Sequence, residues 1–336
     1  MKWYKQPDVD NSVIISSRVR LARNLASYPF PSKLPAYDAA AALEDMKAAA
    51  LKIPEFTFAD LSHVPTSQLN QLAECHVISP AMANKSTAKG LIYNEDENIS
   101  IMLNEEDHLR IQAIFPQQNL DAAYEAVGRL DDALSESLEY AFDTEFGFLT
   151  SCPTNTGTGM RASYMLHVPL LESTGNLKIY ADLITKAGFA IRGTHGEGSE
   201  SMGGIYQISN QMTLGKGEEE TISSLKHLAN QLVEKELSVQ QHVLKEFLHE
   251  TEDAIFRAYG ALTHCRKISI TEAMKHLSDI RLGRILGLIK CEIKGGSVYN
   301  LMTNILPNNL QRIMGLAQDL RHLEVLRADY LRDAIT

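Results

Sequence analysis

The sequence predicts an α+β fold: an antiparallel sheet flanked by helices, then an all-helical C-terminal region. Three stretches carry that expectation. "GLIYNEDENISIML" holds two short apolar runs, Leu91–Tyr93 and Ile99–Leu103, joined by a polar Asn/Glu/Asp turn, which is a hairpin pattern. "FAIRGTHGEGSESMGGIYQISNQMTLG" reads as strand, Gly-rich loop and strand. From about Glu218 onward the pattern is nearly all helical, with a seam near Ser238 to Glu250. The final hundred residues read as a separate helical bundle, so the chain divides into residues 1–240 and 241–336.

The remaining elements follow in order. "SVIISSRVRLARN" opens as a strand at Val13–Ile15 and then turns basic. "AYDAAAALEDMKAAALKIP" is an Ala-rich helix ended by Pro54, since alanine favours helix and proline cannot continue it. "SQLNQLAECHVIS" predicts a second helix, and "LDAAYEAVGRLDDALSESLEYAF" a long amphipathic one. After the loop "SCPTNTGTG", Ala162 to Leu171 is apolar over a helical length and is expected to be helical. "IYADLITKAG" is the next helix.

Composition bounds the function classes. At 336 residues there is room for two domains and a sizeable core. No apolar run reaches the length that spans a bilayer, and "MKWYKQPDVDNS" lacks the apolar core of a signal peptide. The four cysteines, Cys75, Cys152, Cys265 and Cys291, form no C-x-x-C pair, which argues against a zinc site or a disulfide framework and fits a reducing cytoplasm. A net charge of −10 argues against nucleic acid as the main partner but leaves room for a local basic pocket.

"FGFLTSCPTNTGTGMRAS" (146–163) is the first place to look for chemistry. Gly157-Thr-Gly159-Met-Arg-Ala162 formally fits a dinucleotide fingerprint, but Arg161 projects where pyrophosphate should meet bare backbone, and no early βαβ unit surrounds it. A P-loop is absent, because Lys216 in "TLGKGEEE" lacks the first glycine; protein-kinase signatures are absent too. Cys152 could be a reactive thiolate beside arginines, or simply a small residue at a strand end.

Four other stretches bear on that choice. "SSRVRLAR" puts Arg18 and Arg20 on one strand face, because residues two apart share a side. "NEEDHLR" packs Glu105, Glu106, Asp107, His108 and Arg110 after a strand; "RGTHGEGSE" joins Arg192 to Glu197 through glycines; "ECHVISP" ends a helix with His76. Taken singly they are a solvated face, a charged turn, a hairpin loop and a helix-end histidine. Together with the 146–163 stretch they supply Arg18, Arg20, Arg110, Arg161 and Arg192, each near a strand end or a turn. Guanidinium forks in that arrangement can hold a triphosphate where no P-loop exists. Phosphoryl transfer asks chiefly for positioning and charge stabilisation, and carboxylates such as Glu106 and Glu197 could grip a cationic nucleophile.

These motifs resemble the ATP:guanidino phosphotransferase (phosphagen kinase) family. "CPTNTGT" matches its signature C-P-[ST]-N-x-G-T, and "SSRVR", "NEEDHLR", "GMRAS" and "RGTHGEGSE" stand in the family's order, from about Asn11 to Gly215. "ASYMLHVPLL", "IYQISNQMTLG" and the helical C-terminus are similar to the bacterial protein-arginine kinases, and a catalytic block beginning near Ser12 leaves no place for the small helical domain of the free-guanidino kinases. The resemblance implies ATP with Mg²⁺ carried mainly by nucleotide and waters. It implies nucleotide contacts from the stretch Ser16, Ser17, Arg18, Val19 and Arg20, and from His76 and Arg110. Two walls would follow: Arg161, Ala162, Ser163, Tyr164 and Met165, then Arg192, Gly193, Thr194, His195, Gly196 and Glu197. Glu106 and Glu197 would hold the substrate guanidinium, with Glu106 as base, and Cys152 would lie beside the reacting nitrogen; no residue is assigned to a metal.

By the same resemblance the product is phosphoarginine on proteins, serving stress response or degradation. The implied partners are a zinc-binding activator, a Clp-type protease and a second copy of the chain. One departure stands out. The Arg-Asp-x-x-Arg-Ala box of the C-terminal domain is reduced here to "LEVLRA", Leu323 to Ala328, with Arg327 and Ala328 in place. The alternatives are a kinase of free arginine or another small guanidine, and a non-catalytic adaptor that binds phosphoarginine.

Overall fold

Eight strands form one antiparallel sheet in the computed structural model, which describes residues 2–6, 12–85, 88–195, 201–315 and 322–336. In chain order the strands are β1 (Ile14–Arg23), β2 (Phe56–Asp60), β3 (Gly90–Asn94), β4 (Ile99–Leu103), β5 (Leu109–Pro116), β8 (Met160–His167), β9 (Phe189–His195) and β10 (Ser201–Asn210). Across the sheet they run β2-β3-β4-β5-β1-β8-β10-β9, so β1 and β8 are central. Two-residue strands β6 (Phe142–Asp143) and β7 (Gly147–Phe148) make a separate small hairpin.

Alternation along the central strands sorts the chain's chemistry onto two faces. Val19 and Leu21 of β1, Ile111 and Ala113 of β5, and Ala162, Tyr164 and Leu166 of β8 lie in one dry core. Helices α1 (Ala36–Ala50), α4 (Leu120–Ser135), α6 (Asn176–Lys186) and α7 (Glu218–Glu246) cover that face, through Met46, Val127, Ile184, Leu225 and their neighbours. Each fully buried Leu or Ile there contributes about 1.5–3 kcal/mol.

The other face is divided. One part carries Met102, Ile114, Met165 and Ile205 and packs into a second core. That core takes in Trp3 and Tyr4, helices α2 (Thr66–Glu74) and α3 (Pro80–Asn84), and the C-terminal helices α8 (Leu248–His264), α9 (Ile270–Ile285), α10 (Val298–Asn304), α11 (Pro307–Met314) and α12 (Leu323–Ala334). The C-terminal helices therefore pack directly on the sheet. A buried link fixes the contact: His167 at the end of β8 meets Ser278 Oγ through Nε2 (2.7 Å) and Arg281 through Nδ1 (2.8 Å). The remaining part of the face holds the arginines.

The sequence expectation fails at Ala162 to Leu171. Residues 160–167 are strand β8, and only the short α5 (Pro169–Ser173) is helical there. Seven of the strand's eight residues are buried, so it shows no polar–apolar alternation and cannot be told from a buried helix by its pattern. β2 and β5 carry no clear strand signal in the sequence, being short or attached to the charged "NEEDH" turn.

Candidate active site

Register puts the arginines side by side. Arg20 lies opposite Gln112 of β5 and Arg161 of β8; Arg18 lies opposite Ile114 and Ser163. Arg110 is two residues before Gln112 on β5, and Arg192 of β9 pairs with Gln207 of β10. Arg18, Arg20 and Arg161 are half-buried, yet Nε of each is buried without a hydrogen-bond partner among the described residues. Burial and Arg110 push the Arg18 pKa down to about 9. Burial, then Arg18, Arg110 and Arg161, hold Arg20 well below the usual guanidinium range. Arg161 is lowered by burial and by Arg110 and Arg192. The sheet has gathered like charges at a cost of desolvation and repulsion that a polyanion would relieve.

Carboxylates face this cluster. Glu105, Glu106 and Asp107 sit in the β4–β5 turn and line a pocket of about 70 Å³ with Arg20, Arg110, Asn155 and Arg161. Their roles differ. Glu105 is buried and takes both hydrogen bonds of Arg110 Nη1, at 2.6 and 2.7 Å. Burial raises its pKa, but the Arg110 charge and the hydrogen bonds from Arg110 and Ser79 outweigh that and hold it low. Asp107 is buried too; its Oδ1 accepts from Ser151 N (2.7 Å) and Asn24 Nδ2 (2.6 Å), which ties the turn to the loop before Cys152. Glu106 stands exposed at the lip, with its pKa raised by partial desolvation and by Asp107 and Glu105. Of the three, only Glu106 makes no side-chain hydrogen bond or ion pair among the described residues, which suits it to take a proton.

The loop at 152–159 is built by close backbone approach. Gly157 has φ +117 and pairs with Phe148; a Cβ there would lie 2.4 Å from the Thr213 carbonyl oxygen. At Gly159 (φ +66) a Cβ would meet the Ala22 carbonyl oxygen at 2.6 Å. These glycines serve chain packing, which accounts for the formal dinucleotide fingerprint. The loop brings half-exposed Cys152 within electrostatic reach of Arg161, which also feels Glu106. Cys152 Sγ lies 3.1 Å from Thr154 Oγ1, and Asn155 Oδ1 accepts from Arg161 Nη2 at 3.4 Å.

On the far side of the arginines a cleft of about 500 Å³ is bounded by Arg18, Arg20, Arg110, His76, Asn70, Thr194 and Leu306. His76 follows α2 with φ +60 and closes the helix: its N–H reaches the Ala73 carbonyl (2.9 Å) and the Val77 N–H reaches Leu72 (3.0 Å). That is a Schellman ending with a histidine where glycine is usual.

Strand alternation divides the expected nucleotide residues. Ser16, Arg18, Arg20, Arg161, Ser163, Met165 and Arg192 share the arginine face with Gln207. Val19, Ala162 and Tyr164 send their side chains into the opposite core. Ser17 Oγ is spent on the Gln117 carbonyl (2.6 Å) and the Asn119 N–H (2.9 Å). Gly193 pairs with Tyr206, and Thr194 Oγ1 donates to the Ile205 carbonyl (3.0 Å). His195 ends β9 opposite Ser201. Gly196 and Glu197 lie outside the described residues.

Gln112 belongs to no motif visible in the sequence. It accepts from Arg18 Nη2 and donates to the carbonyls of His76 (2.9 Å) and Val77 (3.0 Å) and to Ser100 Oγ (2.8 Å). Its spacing of two from Arg110 was the available signal.

Comparison with known proteins identifies the family. Residues 39–239 match the family model of the ATP:guanido phosphotransferase C-terminal catalytic domain, and residues 249–336 that of the protein-arginine kinase McsB C-terminal domain. The protein-arginine kinase of Halothermothrix orenii is 38% identical over 332 residues, covering 98% of this chain and 95% of that protein. That of Geobacillus stearothermophilus is 39% identical over 338 residues, covering 99% and 93%. Among solved structures, a lombricine kinase (26% identity, TM-score 0.62) covers 70% of this chain and 69% of its own. The substrate-free duplicated taurocyamine kinase from Schistosoma mansoni (27% identity, TM-score 0.61) covers 72% of this chain and 37% of its own. Family models and relatives agree: the chain belongs to the ATP:guanido phosphotransferase family, on its protein-arginine kinase branch.

Proposed function

We propose that the protein transfers the γ-phosphoryl group of ATP to arginine side chains of proteins. The observation that carries this reading is the set of buried Nε atoms on Arg18, Arg20 and Arg161, without partners among the described residues, beside an exposed carboxylate with a raised pKa, Glu106. The arginines neutralise the triphosphate and spread charge from the transferring group. Glu106 orients the substrate guanidinium and takes one N–H proton as the N–P bond forms and the γ-phosphorus–oxygen bond to ADP breaks. Cys152 adds polarity beside the reacting nitrogen, and Glu197 would be the second clamp.

Among the described residues no group of three or more His, Cys, Asp or Glu could hold a metal ion. The donor set fits phosphate, so Mg²⁺ would arrive on the nucleotide, where it shields phosphate charge. We assign residues 1–240 to catalysis and 241–336 to dimerisation or regulation. Exposed Phe247 and Phe256, at the start and middle of α8, support pairing through the helical region. Among the described residues no helix is long and apolar enough to cross a membrane.

The test is incubation with Mg·ATP and either casein or free L-arginine, with acid-labile phosphate located by mass spectrometry at neutral pH. Phosphoarginine on casein with little on the free amino acid is expected. Transfer to free arginine alone would convert the reading to a small-guanidine kinase, and transfer to neither would reject it. Glu106→Gln should fold normally and lose roughly 10²–10⁴-fold in kcat, the usual worth of a positioned base. Wild-type turnover from that variant would remove Glu106 from the mechanism.

A further inference from the structure

His76 is held in place from two directions. The first is its own backbone. A non-glycine residue at φ +60 is disfavoured, yet the end of α2 depends on it. The second comes from the other end of the chain. Tyr299 of α10 brings its hydroxyl to 3.2 Å from His76 Nε2, and the Trp3 ring packs against both, with centroids 5.9 Å from His76 and 5.6 Å from Tyr299.

The contact is part of a wider junction. Glu74, two residues before His76, caps the start of α11: its carboxylate accepts from Asn308 N (3.0 Å), Asn308 Nδ2 (2.7 Å) and Asn309 N (2.7 Å). Leu306 and Asn308 of the α10–α11 segment then stand in the wall of the cleft that holds Arg18, Arg20 and Arg110. Tyr299 itself is buried, and burial raises the pKa of its phenol, which keeps it protonated and able to hydrogen-bond.

We infer that Tyr299 is a positioning residue for the nucleotide: it fixes the His76 ring, so that the C-terminal helices complete the ATP cleft built by the sheet. The inference rests on the reading of the cleft as the nucleotide site. A ring held by a hydroxyl at Nε2 and by an indole is fixed in position and tilt before ATP arrives, which lowers the ordering cost of binding. The device also makes nucleotide affinity sensitive to any displacement of α10 and α11.

The test is a cycle of Tyr299→Phe and His76→Gly in the full chain, read by calorimetric titration with Mg·ADP. Glycine is chosen because the backbone at φ +60 accepts it without strain. Tyr299→Phe keeps the ring packing and removes only the hydroxyl. Its affinity is expected to fall about three- to tenfold, the cost of ordering one side chain on binding. KM for ATP should rise by a similar factor while kcat at saturation stays within twofold, and the thermal midpoint should not move.

In the His76→Gly background, Tyr299→Phe is expected to add less than a twofold loss. Wild-type affinity for Tyr299→Phe would overturn the inference, and so would an equal loss with and without His76. If His76→Gly alone bound Mg·ADP as tightly as the parent, the placement of the nucleotide at His76 would fail, and the inference with it. That failure is separable from failure of arginine phosphorylation, because the titration contains no arginine acceptor.

Discussion

Arg20 and Arg23 lie three residues apart on one strand and face opposite ways, and the difference separates chemistry from architecture. Arg23 is 2% exposed and fully partnered. Its Nε meets both oxygens of Asp131 (3.1 and 3.0 Å), Nη2 meets Asp131 at 2.7 Å, and Nη1 reaches the carbonyls of Ala22 and Thr158 at 2.9 Å each. Its guanidinium also sits 3.5 Å over the Phe148 ring. Arg20 has a buried Nε with no partner among the described residues and is pressed by three like charges. Arg327 follows Arg23: buried, it donates to the carbonyls of Ile268 (3.0 Å) and Ile305 (3.2 Å) and ties α12 to the loops before α9 and α11. A structural arginine is folded together with its acceptors. Arg20 is stored without one at Nε among the described residues, whereas Arg110 already holds Glu105, and a ligand would supply the balance for Arg20.

The largest test of this contrast is Arg20→Ala. Phosphoryl transfer should drop by about 10³-fold or more, the worth of an arginine on a transferring phosphoryl group. The thermal midpoint should hold or rise, because an uncompensated charge has been removed. Activity within tenfold of the parent would dissolve the distinction. Arg23→Ala should do the reverse. Leaving Asp131 unpaired costs about 3–5 kcal/mol, measured by urea unfolding, with kcat per folded molecule within a few-fold of the parent.

Arg327→Met is expected to cost about 2–4 kcal/mol by orphaning two buried carbonyls. A variant as stable as the parent would show that Arg327 is not the brace its bonds suggest.

The smallest effect concerns pH. The Glu106 pKa is raised, so the carboxylate can accept a proton only above that value, and kcat/KM should fall as pH drops through it. The acid limb should lie above the ordinary glutamate value of about 4.3. A limb at or below that value would detach it from Glu106.

Much of this site was legible in the sequence because it depends on local spacing. Arg18 and Arg20 share a face by the period of two, "NEEDHLR" declared itself by charge density, and the hairpin from Leu91 to Leu103 carried its own turn. Strand β8 was not legible, since burial on both faces erases the alternation that marks a strand. Nor were the different duties of Glu105, Glu106 and Asp107: three adjacent acids look alike until Arg110, Ser79 and Ser151 select among them.

The sequence by itself determined the inventory and its periodicity: which arginines can line one strand face, where the loops break, and which motifs mark the family. Tertiary structure decided which charges are compensated, and it brought Tyr299 to His76 across the length of the chain. The physical reason is that periodicity acts between near neighbours, whereas desolvation and charge pairing depend on whatever the fold brings within a few ångströms, at any separation in sequence.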